Sequence, residues 1–155
     1  MRRVSADSGV GILGGTFDPI HRGHTKVARL VGKQLGLREV RLLPNSVPPH
    51  REQPSASVAQ RLEMLRIALH GDADLRLDDR ETRRPGPSWM VDTLEELRSE
   101  VGPRERLVLI LGADAFGDIH NWSRWRQVFE LAQVAVVARP GFQMSRPPGL
   151  SESVL

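Results

Sequence analysis

Short apolar runs alternate along this chain with longer stretches of helical spacing, and that alternation limits the fold more than any other feature of the sequence. Val10–Leu13, Val40–Leu43, Leu107–Leu111 and Ala132–Ala138 are the clear runs, and Leu75–Leu77 is a weaker one. Between them, Gly23–Leu35 places Val27, Leu30, Val31 and Leu35 at helical spacing before Gly36 stops the helix, and Val58–Leu69 sets Leu62, Leu65 and Leu69 on one face. Ser88 is expected to cap a further helix through Leu97. An unbroken apolar run such as Leu107–Leu111 belongs to a strand buried on both faces. The pattern predicts an α/β fold: a Rossmann-like parallel sheet with helices on both faces, right-handed crossovers, and ligands at the carboxyl ends of the strands.

Bulk properties remove several function classes. The 155 residues fit one domain, read as 1–155. Cysteine is absent, which excludes disulfides and thiolate metal sites. No apolar run approaches the length of a bilayer span, and the basic Met1-Arg2-Arg3 start leads into no signal-type core, so a cytoplasmic protein without a membrane partner is expected. The net charge is only +3 although the pI is near 10.4, because all but two of the 22 basic residues are arginine. Basic pairs such as Arg83-Arg84 alternate with acids such as Glu81, so the arginines are expected on solvated surface rather than on a nucleic-acid face.

The stretch GILGGTFDPIHRGH, residues 11–24, stands between the first apolar run and the first helix. Gly14, Gly15 and Thr16 would offer backbone N–H groups just before a helix, whose positive end suits an anion. His21 and His24 are three residues apart at the helix start and so share a side. Three readings compete for them: local caps around a tight turn, a metal pair aided by Asp18, and a phosphate cradle. A metal pair lacks a clear third ligand. The cradle uses every unusual residue, although the motif is neither the G-x-G-x-x-G fingerprint nor a P-loop.

GGTFDPIHRGH resembles the G-[TS]-F-D-P-x-H-x-G-H signature of the nucleotidyltransferase superfamily. Four further stretches, LLPNSVPPHR (42–51), RPGPSWMVDTL (84–94), ILGADAF (110–116) and ARPGF (138–142), are similar in order and spacing to the bacterial nicotinate mononucleotide adenylyltransferase family. The resemblance implies transfer of the adenylyl group of ATP to nicotinate mononucleotide, with release of pyrophosphate, in NAD synthesis. It implies His21 and His24 as catalytic residues, and ATP contacts from Gly14, Gly15, Thr16, Phe17, His21, His24, Gly112, Asp114 and Arg139. It further implies contacts to the pyridine substrate from Asn45, His50, Arg51, Met90, Trp122 and Ser123. Magnesium would arrive with ATP, held by phosphate oxygens and water, and no dedicated metal site is expected.

Several of these residues carry a second reading from their own chemistry. Asp114 either accepts from the ribose hydroxyls or caps the helix that follows it. Asn45, His50 and Arg51 taken alone are turn and loop residues. Trp122 and Trp125 both fit a core-facing helix side; in the family the tryptophan matching Trp122 stacks on the pyridine, and a helix beginning near Ser123 would present N–H donors to its carboxylate. Trp125 is left to the core. Met90 stands where the family has threonine, which leaves only a backbone contact. The family's C-terminal I-S-x-[ST]-x-I-R stretch has no counterpart, and PGFQMSRPPGLSESVL is expected to be loop or frayed end. Rival functions are transfer to another phosphate acceptor such as phosphopantetheine, a nucleotide-binding domain without turnover, and nucleic-acid binding. A homo-oligomer is left open.

Overall fold

The computed structural model describes residues 8–46, 56–138 and 148. Five strands, β1 (Gly9–Gly15), β2 (Glu39–Pro44), β3 (Leu75–Leu77), β4 (Arg106–Gly112) and β5 (Gln133–Val137), form one parallel sheet in the order β3-β2-β1-β4-β5. Helices α1 (Arg22–Gln34), α2 (Val58–Leu69), α3 (Met90–Val101), α4 (Ala113–Gly117) and α5 (Trp125–Leu131) connect them, with 3₁₀ turns at Arg80–Arg83 and Ile119–Asn121. The chain builds outward from β1 to β3 and then returns to lay β4 on the other flank of β1. The carboxyl ends of β1 and β4 therefore meet at the switch in strand order, where a parallel sheet opens a crevice.

The two-residue period of the strands sorts their side chains into two cores. Val10, Ile12, Leu107, Leu109 and Leu111 pack with Val91, Leu94 and Leu97 of α3 and with Phe116 and Val128, while Val40, Leu42, Val108 and Ile110 pack with Ala28 and Val31 of α1 and Leu65 and Leu69 of α2. The helix faces differ from expectation at one position. Leu30 is 50% exposed, and Ala28 takes the core place beside Val31. Gly36 ends α1 as its sequence indicates, with φ +65° and the paired bonds Gly36 N–H to Lys33 C=O and Leu37 N–H to Gly32 C=O that close a Schellman turn. Ser57 and Gln60 cap α2 reciprocally at 3.1 and 2.9 Å.

Two expectations are corrected. Ser88 does not cap a helix: its hydroxyl donates to the Glu81 carbonyl at 3.5 Å, and α3 begins at Met90 after an uncapped Trp89. Nor are the arginines simply solvated. Arg41 bonds Glu39 and Asp78, Arg80 bonds Asp78 and Glu100, and Arg98 donates to the carbonyls of Gly102, Glu105 and Leu131. A planar five-donor fork can satisfy several acceptors at once, and a polar strand edge supplies them. Among the described residues no helix is long and apolar enough to cross a membrane.

Candidate active site

Three strand ends bring the expected residues to one edge of the sheet. Gly14 and Gly15 close β1, and Asn45 follows β2, where its N–H donates to the Gly15 carbonyl at 3.0 Å. Gly112 closes β4 and stands before α4, with Asp114 exposed in the first turn. Asp114 makes no capping bond there, so the capping alternative is removed and its carboxylate is left at the switch point. A Cβ built on Gly112 meets nothing within 4 Å. Internal packing does not demand glycine at this position, and its absent side chain keeps the strand end open.

The histidines are both cap and ligand candidate, through different nitrogens. His21 is the N-cap of α1 and its Nδ1 accepts the Gly23 N–H at 3.1 Å, while His24 Nδ1 reaches back to accept the His21 N–H at 3.2 Å. The rings stack with centroids 3.8 Å apart, and Phe17 meets His24 edge-on at 5.0 Å. An Nδ1 that accepts carries no proton, so each neutral ring bears its hydrogen on Nε2 as a donor. No acidic residue occupies the first turn of α1, whose positive end is therefore not offset within the helix.

Burial, reinforced by the adjacent His21, pushes the His24 pKa below its ordinary 6.5. A folded-state pKa below the unfolded one gives stability that is complete above about 6.5 and is lost as the pH falls from there through the lowered folded pKa. The urea midpoint is therefore expected to drop between about pH 7 and pH 5 by more in the parent than in His24→Gln, which keeps a capping acceptor but cannot titrate. Equal drops would remove His24 as the titrating group.

The turn between β1 and α1 differs from the sequence expectation in two ways. Gly14 and Gly15 belong to the strand, and the left-handed residue is Phe17, at φ +52°. Phe17 is also 2% exposed within the α1–α2 core, so only its backbone is left for a ligand. Burying that aromatic ring offsets a backbone cost on the order of 1–3 kcal/mol.

Sequence reasoning missed Arg61. This α2 residue is 1% exposed, and its guanidinium donates to the carbonyls of Thr16 (2.8 Å), Asn45 (2.7 Å) and Ser46 (3.3 Å), tying the loops after β1 and β2 together. Its spacing carried a signal: Arg61 lies four and eight residues before the core residues Leu65 and Leu69, on an apolar stripe. Arg61→Leu strips three acceptors of their donors and is expected to cost ~1–3 kcal/mol in urea unfolding. An unchanged midpoint would show that the ties contribute nothing. Asn45 Oδ1 and Arg61 Nε are buried without partners among the described residues.

A second group of residues lies over α3. Met90, its first residue, stands near Gly14, where a Cβ would come 3.1 Å from the Met90 methyl. The loop leading to it is held from below by Glu81, 4% exposed, which accepts from the Thr93 hydroxyl at 2.6 Å, while Arg84 donates to that same hydroxyl at 2.8 Å. Burial raises the Glu81 pKa above the usual carboxylate range, opposed by the Thr93 bond. Trp122 and Ser123 lie in the turn after the 3₁₀ segment, and α5 starts at Trp125, later than expected. The Trp122 N–H is already committed to the Ile119 carbonyl at 2.9 Å, so it is not a donor for a ligand. Arg124, left-handed at φ +48°, binds Asp92 and Glu95 and so ties this turn to the first turns of α3. Trp122 and Trp125 both pack against the α3 core. His50, Arg51 and Arg139, with the stretch after Arg139 other than Pro148, lie outside the described residues.

A groove of about 620 Å³ lined by Leu35, Arg98, Arg106 and Phe129 lies at the amino-terminal edge of β4 and β5. It shares no residue with the switch-point cluster. The guanidinium groups of Arg98 and Arg106 bond carbonyls and Gln133 there, whereas the opposite edge gathers histidines, glycines and an open carboxylate. The chemistry favours the switch-point edge.

The profile of the cytidylyltransferase-like family matches residues 12–153. Over 140 residues the chain is 47% identical to a probable nicotinate-nucleotide adenylyltransferase of Chromobacterium violaceum, covering 90% of this chain and 66% of that protein. It is 50% identical over 133 residues to one from Dechloromonas aromatica, covering 86% and 61%. The chain thus spans between 61% and 66% of the length of these curated relatives. The solved structure of Plasmodium falciparum nicotinic acid mononucleotide adenylyltransferase complexed with NaAD superposes with a TM-score of 0.73 at 20% identity, covering 95% of this chain and 69% of that one. At that identity the likeness concerns the fold.

Proposed function

The chain belongs to the cytidylyltransferase-like family, and from that membership we propose that it transfers the adenylyl group of ATP to nicotinate mononucleotide, giving nicotinate adenine dinucleotide and pyrophosphate. The observation that carries the reading is the stacked histidine pair, with Nδ1 atoms used in the cap and Nε2 donors left over at the positive end of α1. In this reading an oxygen of the acceptor phosphate attacks the α-phosphorus of ATP. The new P–O bond forms as the bond to the bridging oxygen breaks, and pyrophosphate leaves with that electron pair. The acceptor is already anionic, so no protein nucleophile is needed, and positioning and charge neutralisation supply the catalysis.

The backbone of Gly15 and Thr16 with the two Nε2–H groups holds the phosphates, and Asp114 accepts from the ribose hydroxyls beside the space left at Gly112. Asn45, Met90 and Ser123 face the pyridine nucleotide, with Trp122 against the ring. Mg²⁺ travels with the triphosphate on phosphate oxygens and water. Among the described residues no group of three acids or histidines could hold a metal, and no step is assigned to one. The cytoplasm, where ATP is drawn on, is the proposed compartment.

Pyrophosphate release from ATP and Mg²⁺ tests the reading with three acceptors: nicotinate mononucleotide, its amide and phosphopantetheine. Turnover with the first is expected. Turnover with phosphopantetheine alone would move the assignment to another acceptor, and ATP binding without turnover would leave a nucleotide-binding domain. Asp114→Ala is expected to raise the KM for ATP roughly 10-fold, through loss of charge-assisted ribose contacts, and to leave the KM for the pyridine nucleotide unchanged.

A further inference from the structure

Beneath the phosphate-facing turn two opposite charges compete. Asp18 lies within the turn itself, where its carboxylate accepts the Ala56 N–H at 3.0 Å. A carboxylate there opposes the positive end of α1 and would repel a triphosphate. Among the described residues Arg61 is a counterweight. It is almost wholly enclosed, and its bonds to Thr16, Asn45 and Ser46 all go to carbonyls, which orient the guanidinium without supplying net negative charge. Burial disfavours the charged guanidinium and pushes its pKa down, and the attraction of Asp18 offsets part of that cost. Guanidinium does not lose its proton at any working pH.

Holding loops together needs only donors, and an amide could supply two of them. A full charge 1% exposed, bonded to the Thr16 carbonyl and with one N–H unpartnered among the described residues, is costly to bury for that purpose alone. We propose that Arg61 is a positioning residue that sets the sign of the electrostatic potential at the turn, cancelling Asp18 so that affinity rises with the number of phosphates on the nucleotide. The inference rests on the nucleotide reading above and adds a group that never touches the ligand. Its signature is dependence on ligand charge.

The test is calorimetric titration of the full chain with ATP and with adenosine. Arg61→Gln, which keeps amide donors but removes the charge, is expected to weaken ATP ~10-fold or more and adenosine by less than ~3-fold. Adding Asp18→Asn to that variant removes the opposing charge and is expected to recover much of the loss. A purely structural Arg61 gives the reverse: parallel weakening of both ligands, and further loss in the double variant. Should Arg61→Gln fail to fold, Arg61→Lys decides the matter, since the retained charge is expected to keep the parental ratio of ATP to adenosine affinity. A collapsed ratio in Arg61→Lys overturns the proposal. If the parent itself binds neither ligand, the nucleotide reading fails first and the inference falls with it.

Discussion

Replacing His24 with alanine is expected to lower kcat by on the order of 10²-fold or more while the dissociation constant for ATP changes by less than ~3-fold. The Nε2–H of His24 points the donor away from the cap, and a donor that meets charge developing around the α-phosphorus acts mainly in the transition state. Alanine also removes the Nδ1 acceptor of the His21 N–H and the stacked ring, so a fall in rate could come from a loosened helix start instead. His24→Gln separates the two. Glutamine at this helix position restores the reciprocal cap but places no imidazole N–H in the site. The expected outcome is a parental unfolding midpoint near neutral pH together with the same loss of kcat as alanine. A glutamine variant that turns over like the parent would reduce His24 to a cap.

The acid form of the pyridine nucleotide is expected to be used over its amide by roughly 10²-fold or more in kcat/KM. A carboxylate only accepts hydrogen bonds, whereas a carboxamide turns an N–H₂ toward donors that have nothing to offer it. The Trp122 N–H is spent on Ile119, so among the described residues the donors expected to meet the carboxylate are the N–H of Ser123 and those at the uncapped start of α3, Met90 and Val91. Asp92 in that first turn would repel the substrate carboxylate if it stood alone, and Arg124 neutralises it. Trp122→Ala is expected to raise the KM for nicotinate mononucleotide ~10-fold and leave that for ATP unchanged, because a stacking surface serves one substrate. Equal rates with acid and amide would remove the carboxylate pocket and leave adenylyl transfer to another acceptor.

The candidate site is legible where residue type and local spacing carry chemistry. Glycines at a strand end, histidines three apart and an aspartate just after a strand are each visible without tertiary contacts, and the fold brings all of them to the carboxyl edge of one sheet. Arg61 was hidden because arginine is read as surface by default. Its burial follows from acceptors that lie 15, 16 and 45 residues away in sequence. Phe17 shows the opposite case: its place in a ligand motif gives no sign that its ring goes into the core between α1 and α2, which leaves the backbone for any contact.

Local pattern alone determined that this chain alternates strands and helices, that the strands are apolar on both faces, and where α1 and α2 end, because those properties arise from neighbours a few residues apart. Such a pattern says that β1 is buried on both faces but not which strands flank it. Several orders of five parallel strands bury the same faces, and the choice is made by which crossover helices cover which side. Only the assembled order β3-β2-β1-β4-β5 sets Gly15 beside Pro44 on one flank and β4 on the other, so that α1 with His24 and α4 with Asp114 leave from neighbouring strand ends. The tertiary contacts also decide which polar groups are enclosed: the guanidinium of Arg61 lies among carbonyls of the loops after β1 and β2, and the carboxyl of Glu81 against the Thr93 hydroxyl of α3.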